Sequence, residues 1–141
     1  MSKGDTFETD ILKLIYNATA IANIADTAAS SPITNLYLSL HTASPGDSGN
    51  QTTNECSYTS YARVAVARSG SGWTVTGNSV SPAAAIEFPA ATGGSETVTH
   101  AAVGTASSGT GKILHHGAIS PTIAVSSGVT PRLSTATAIT E

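Results

Sequence analysis

Few residues of this 141-residue chain have the type and spacing that chemistry requires. Gly46-Asp47-Ser48-Gly49 reproduces the four residues around the nucleophile of chymotrypsin-like proteases, where a turn exposes the serine and backbone amides stabilise the oxyanion. That chemistry also needs a His and an Asp well upstream, and the only upstream histidine is His41, so the motif reads as a loop. Ala106-Ser-Ser-Gly-Thr-Gly-Lys112-Ile113 approaches a phosphate-binding loop, but Ala106 replaces the first glycine and Ile113 replaces the magnesium-binding hydroxyl. It reads as a turn with a surface lysine. His115 and His116 are adjacent on an expected strand, so they point to opposite faces and cannot both ligate one ion in the usual way. His41 and His100 also fall on expected strands, and half-buried hydrogen bonding is the expectation for all four. The nine carboxylates form no Asp-x-Asp run of the calcium type. Cys56, the single cysteine, has no intramolecular disulfide partner and is expected as a buried or half-buried thiol. The expectation is a protein that is not an enzyme and uses no cofactor and no metal.

Composition points toward a packing role. Only 11% of residues are charged, against roughly 25% in ordinary soluble chains. Such a surface suits a protein packed against neighbours, because lone monomers commonly rely on mixed charges for solubility. A net charge of -3 gives no basic footprint, so nucleic acid is not an expected partner. No apolar run is long enough to cross a membrane, and Met1-Ser-Lys-Gly-Asp5 lacks the apolar stretch of a signal peptide, so no membrane partner and cytosolic synthesis are expected.

The elements that would position these residues follow from periodicity. Asp5 with Glu8 three residues later resembles a capping box, and Phe7, Ile11, Leu14, Ile15, Ala18, Ile21, Ala22 and Ala25 recur at helical spacing, predicting an amphipathic helix over 5–26 with that stripe buried. Thr27 to Thr34 is a linker, giving an N-terminal arm over 1–34 and a β domain over 35–141. Leu36, Leu38 and Leu40 alternate with Tyr37, Ser39 and His41, predicting a strand with one face on a core and the other toward something more polar. Ser44 to Asn54 is rich in turn residues and predicts an exposed excursion available for contact with a neighbouring subunit. Further strands are expected over 61–68, 73–76, 79–88, 97–103, 112–119, 121–125 and 130–139, with Trp73 in a core. Seven or eight short strands after one helix predict a mainly β fold, a β-sandwich or jelly roll with an N-terminal amphipathic helix.

Leu36-Tyr-Leu-Ser-Leu-His-Thr-Ala-Ser-Pro-Gly-Asp-Ser-Gly49, Gln51-Thr-Thr-Asn-Glu55, Tyr58-Thr-Ser-Tyr-Ala-Arg-Val-Ala-Val66 and Gly72-Trp-Thr-Val-Thr-Gly-Asn78 resemble a family of small virion proteins of tailed bacteriophages, often labelled tail-fibre-like in genomes. The similarity continues through Phe88-Pro89, Thr99 to Ala106 and Gly111-Lys-Ile-Leu114, covering most of the chain after residue 33. The resemblance implies a structural protein of the phage particle and assigns no catalytic residue. A fibre usually shows shaft repeats or a long coiled coil, and this chain has neither. The expectation is therefore a capsid cement or decoration protein, homotrimeric or homodimeric, bridging major capsid protein subunits on the outer surface of the capsid. The alternative is a tail or tail-fibre-associated adhesion module that binds host surface glycan through Trp73, Tyr16, Tyr37, Tyr58 and Tyr61. Subunit contacts are expected through Phe7, Ile11, Leu14 and Ile15 of the helix and Pro45, Asp47 and Asn50 of the excursion.

Overall fold

The computed structural model describes residues 4–21 and 32–140. In chain order the elements are α1 (Asp5–Tyr16), β1 (Asn35–His41), β2 (Val64–Ala67), β3 (Trp73–Thr76), β4 (Ser79–Pro82), β5 (Ile86–Glu87), β6 (Glu96–Gly104), β7 (Ile113–Val125), β8 (Arg132–Leu133) and β9 (Ile139–Thr140). They fall into two units, one of Met1–Asn35, Val66–Ala85 and Ser134–Glu141 and the other of Leu36–Ala65 and Ile86–Leu133.

In the first unit α1 starts after Gly4, whose carbonyl accepts from Phe7 N at 2.9 Å and Glu8 N at 3.1 Å. Asp5 is already helical, so the expected capping box does not form, and Asp5 and Glu8 instead place negative charge against the positive end of the helix dipole. The helix is shorter than its apolar spacing suggests. Ala18 takes a left-handed φ of 55°, and the Arg68 guanidinium donates from Nε to Ile15 O at 2.6 Å and from Nη2 to Leu14 O at 2.5 Å, satisfying carbonyls that have no intrahelical partner. Residues 17–21 are not helical, and residues 22–26 of the expected helix, with the first part of the linker, lie outside the described residues. The buried face of α1 carries Leu12 and Tyr16, four residues apart, and packs on β3 and β4. Those strands form an antiparallel hairpin through Gly77-Asn78, with Gly77 at φ 59° as a tight two-residue turn requires, and β9 adds to β4. Trp73 is 1% exposed and meets Tyr16 edge to face at 4.7 Å, so the expected core role holds. Its indole Nε1 has no hydrogen-bond partner.

The second unit is built on β6, β7, most of β1 and the start of β2, strands of the sheet ordered β2-β1-β6-β7, with β1 antiparallel to β6 from Tyr37↔Gly104 to His41↔His100. Leu38 through His41 are buried on both faces, so β1 is a central strand and its polar alternate residues face packed surroundings rather than solvent. Two expected strands, 112–119 and 121–125, are the single β7, whose pairing with β6 shifts between the pairs made by Val98 and His100. The expected strand over 79–88 is divided between β4 and β5, and that over 130–139 shrinks to β8 and β9. β5 and β8 pair across Ile86↔Leu133 and Glu87↔Arg132, the latter an ion pair. The protein is mainly β with one N-terminal helix and several antiparallel sheets, consistent with the expected β-sandwich class.

Candidate functional site

The polar chain between β1 and β2 carries a network of hydrogen bonds within the second unit. Tyr61 and Arg63, two residues apart just before β2, both reach the same carboxylate. Arg63 meets Glu55 in a two-point pair, Nε to Oε1 at 2.6 Å and Nη2 to Oε2 at 2.8 Å, with the arginine side chain only 3% exposed. Nη1 also donates to Ala106 O at 3.0 Å, and Nη2 to Gly109 O at 2.7 Å. Tyr61 donates to Glu55 Oε1 at 2.9 Å and accepts from Leu40 N at 3.0 Å. Burial pushes the Tyr61 phenol well above its ordinary range, and the negative Glu55 adds to this, so the phenol remains a donor.

Gln51 is fully buried. Its Nε2 donates to Tyr37 O at 3.2 Å, its Oε1 accepts from Ala106 N at 3.0 Å, and its backbone N–H donates to Gly111 O at 2.9 Å. Gly104 and Gly111 make room for it, since a Cβ on either would fall inside the carboxamide. His41 is equally buried, with Nδ1 at 2.9 Å from Thr53 O and Nε2 at 2.9 Å from Ser39 Oγ. A carbonyl only accepts, so Nδ1 carries the proton and the Ser39 hydroxyl donates to Nε2. Burial lowers the His41 pKa, against a smaller opposing effect of the Thr53 carbonyl, and keeps the ring neutral. The excursion from Ser44 to Asn54 is thus pinned from below by Gln51 and His41, with Pro45 buried as well, and is not the wholly exposed loop that its composition suggests.

The same surroundings account for the remaining reactive groups. Cys56 is buried, and burial with the neighbouring Glu96 pushes its thiol up to about 12, which makes it inert. Glu96 accepts from the backbone N–H of Ser57 and of Tyr58, each at 3.0 Å. Tyr58 donates to Pro89 O at 2.9 Å, and burial pushes its phenol up to about 12. Around Ser48, Gly49 N donates to Gly46 O at 3.1 Å in a turn, while the His41 ring is committed to Ser39 and Thr53. The protease-like motif is a loop.

The expected contact residues are spread over both units. In α1, Phe7 is 40% exposed, whereas Ile11, Leu14 and Ile15 are half-buried and the deepest positions are Leu12 and Tyr16. In the excursion Pro45 is buried, Asp47 is exposed with Oδ1 at 3.3 Å from His116 Nε2, and Asn50 Oδ1 accepts from Thr52 N at 2.9 Å in a local turn. Sequence reading missed Gln51, Glu55, Tyr61 and Arg63. The available signal was an arginine in a β-rich stretch of a chain with only six Lys and Arg, where a lone charge between apolar residues calls for a buried partner.

Chemically this arrangement holds loops. The Glu55 carboxylate accepts from Arg63 and Tyr61, and the two ring nitrogens of His41 are taken up by Ser39 and Thr53. Among the described residues no helix is long and apolar enough to cross a membrane. No curated protein matches the chain at a significant level. A family model described as podophage GP4 fiber I protein gp80 matches residues 13–140 and so takes in both units. The chain belongs to this podophage fibre protein family and is a structural protein of the phage virion.

Proposed function

We propose that the protein is a structural module of the tail-fibre apparatus, acting by rigid packing and not by catalysis. The observation that carries this reading is the family match over 13–140, whose description names a fibre protein. The capsid-cement reading draws on a charge-poor surface and the lack of shaft repeats, features that a small fibre-associated β module shares. The buried network supports a mechanical role, because Arg63, Glu55, Gln51 and His41 fix the loops of the second unit in one arrangement. Direct glycan stacking is less well supported, since Trp73, Tyr16 and Tyr58 are buried.

Particles assembled without the protein test the proposal. They should keep DNA-filled heads on heating and lose attachment to the host, and antibody labelling of wild-type particles should decorate the tail. Heads that release DNA while attachment survives would return the protein to the capsid surface and overturn the fibre reading.

A further inference from the structure

We propose that the outer edge of β7 at His116–Ala118 pairs with the same edge of a second copy of this chain, antiparallel and centred on Gly117. This goes beyond the fibre assignment and does not depend on where in the particle the protein sits. β7 ends the sheet order β2-β1-β6-β7, so one side of the strand has no neighbour within the sheet. Which backbone groups face that side follows from the register. Leu40 donates its N–H to Tyr61 Oη and accepts from Cys56 N, so both of its backbone groups point away from β6. Its partner Ala101 must therefore direct its own groups toward β7, where it opposes Gly117. By alternation His116 and Ala118 send their N–H and C=O outward from the sheet. Among the described residues no backbone hydrogen bond outside the β6–β7 ladder engages either of them.

Around Gly117 the strand itself carries little of the usual protection. Natural edges are guarded by charges, by proline or by covering segments; Pro121 lies three residues beyond Ala118 and Asp47 reaches the His116 ring at 3.3 Å, but Ile113 to Val125 contains no Asp, Glu, Lys or Arg. Gly117 and Ala118 are exposed, and a Cβ built on Gly117 meets nothing within 4 Å. The absence of formal charge lets two copies of the segment lie side by side without like-charge repulsion, and the small residues allow close approach. A second copy is the occupant that fits, because the donors and acceptors lie on either side of Gly117, so each copy supplies what the other lacks in an isologous contact. The ladder is short. Beyond Ala118 the β6–β7 register slides, and Pro121 has no N–H to offer.

Sedimentation of the full chain at micromolar concentration should give about 28 kDa, twice the 14.1 kDa of one copy. Ala118→Pro removes an outward N–H that takes no part in the β6–β7 ladder, so this variant should sediment at the single-copy mass with its β-sheet spectrum intact. Should it fail to fold, Ala118→Lys at the same exposed position should produce the same loss of dimer. Gly117→Cys should form an intermolecular disulfide on mild oxidation, since opposed residues at a non-hydrogen-bonded position lie about 4.5 Å apart, within the roughly 4.4–6.8 Å that a disulfide spans. Thr110→Cys, at an exposed loop position, should not. A single-copy mass for the wild type, assemblies larger than a dimer, or a dimer that survives the Ala118 substitutions would overturn the proposal.

Discussion

Replacing Gln51 by alanine should loosen the excursion from the sheet, and a companion substitution at Gly104 shows whether the carboxamide is the cause. The Gln51 side chain makes hydrogen bonds to Tyr37 O and Ala106 N from a fully buried position. Each such bond contributes about 1 kcal/mol net, and a buried group left unpaired costs about 1–3 kcal/mol. Gln51→Ala should therefore cost about 2–4 kcal/mol, the lower end applying if water reaches the Ala106 N–H. Gly104→Ala alone forces a methyl group into the carboxamide and should cost about 1–3 kcal/mol by overpacking. The two effects share one volume. In the double variant the new methyl enters the space that the carboxamide vacated, so the combined loss should fall short of the sum by about 1 kcal/mol or more. Urea unfolding of the four proteins measures this, with the midpoint moving and the slope unchanged. Losses that add to within about 0.5 kcal/mol would refute the idea that Gly104 is glycine because Gln51 lies against it.

Two further outcomes follow from buried groups. Because burial lowers the folded-state pKa of His41, the unfolded chain takes up the proton first. The stability that His41 contributes is therefore complete above about pH 6.5 and declines as pH falls toward the lowered folded value. Urea midpoints between pH 7 and pH 5 should show this fall, and His41→Gln should flatten it; an unchanged slope in the variant would assign the effect elsewhere. Trp73, 1% exposed against Tyr16, should emit at short wavelength, and Trp73→Ala should cost about 3–5 kcal/mol. Emission typical of a solvated indole would contradict its placement.

The sequence was most legible where one local rule governed one element. Leu36, Leu38 and Leu40 announced β1 by alternation, and the expected strands over 73–76 and 79–88 meet across Gly77-Asn78 as β3 and β4. It was least legible where partners come from far along the chain. The period of two in β1 implied one apolar side and one more polar side, but what covers the polar side depends on residues 51–63 and could not be read from β1 itself. Apolar spacing continued past Tyr16, yet the helix stops there because the chain turns at Ala18 and Arg68, 53 residues beyond Ile15, occupies the terminal carbonyls. The same spacing favoured Phe7, Ile11, Leu14 and Ile15, while the buried line of the helix runs through Leu12 and Tyr16. Turn residues in the excursion were read correctly as forbidding a strand; that Gln51 would reach inward from among them required two distant glycines, Gly104 and Gly111, to leave a slot.

The loop between β6 and β7 is held in a way that has its own consequence. Arg63 grips it through the carbonyls of Ala106 and Gly109, and Gln51 through the N–H of Ala106 and the carbonyl of Gly111. Every one of these grips is on main chain. The side chains of Ser107, Ser108 and Thr110 are exposed and take no part in them, so the fastening is indifferent to what those positions carry. With Gly109 at φ 73° kept for the bend, the tip is a mount whose lettering can be rewritten while the bracket behind it stays as it is, so those three positions are free to diversify without renegotiating the fold.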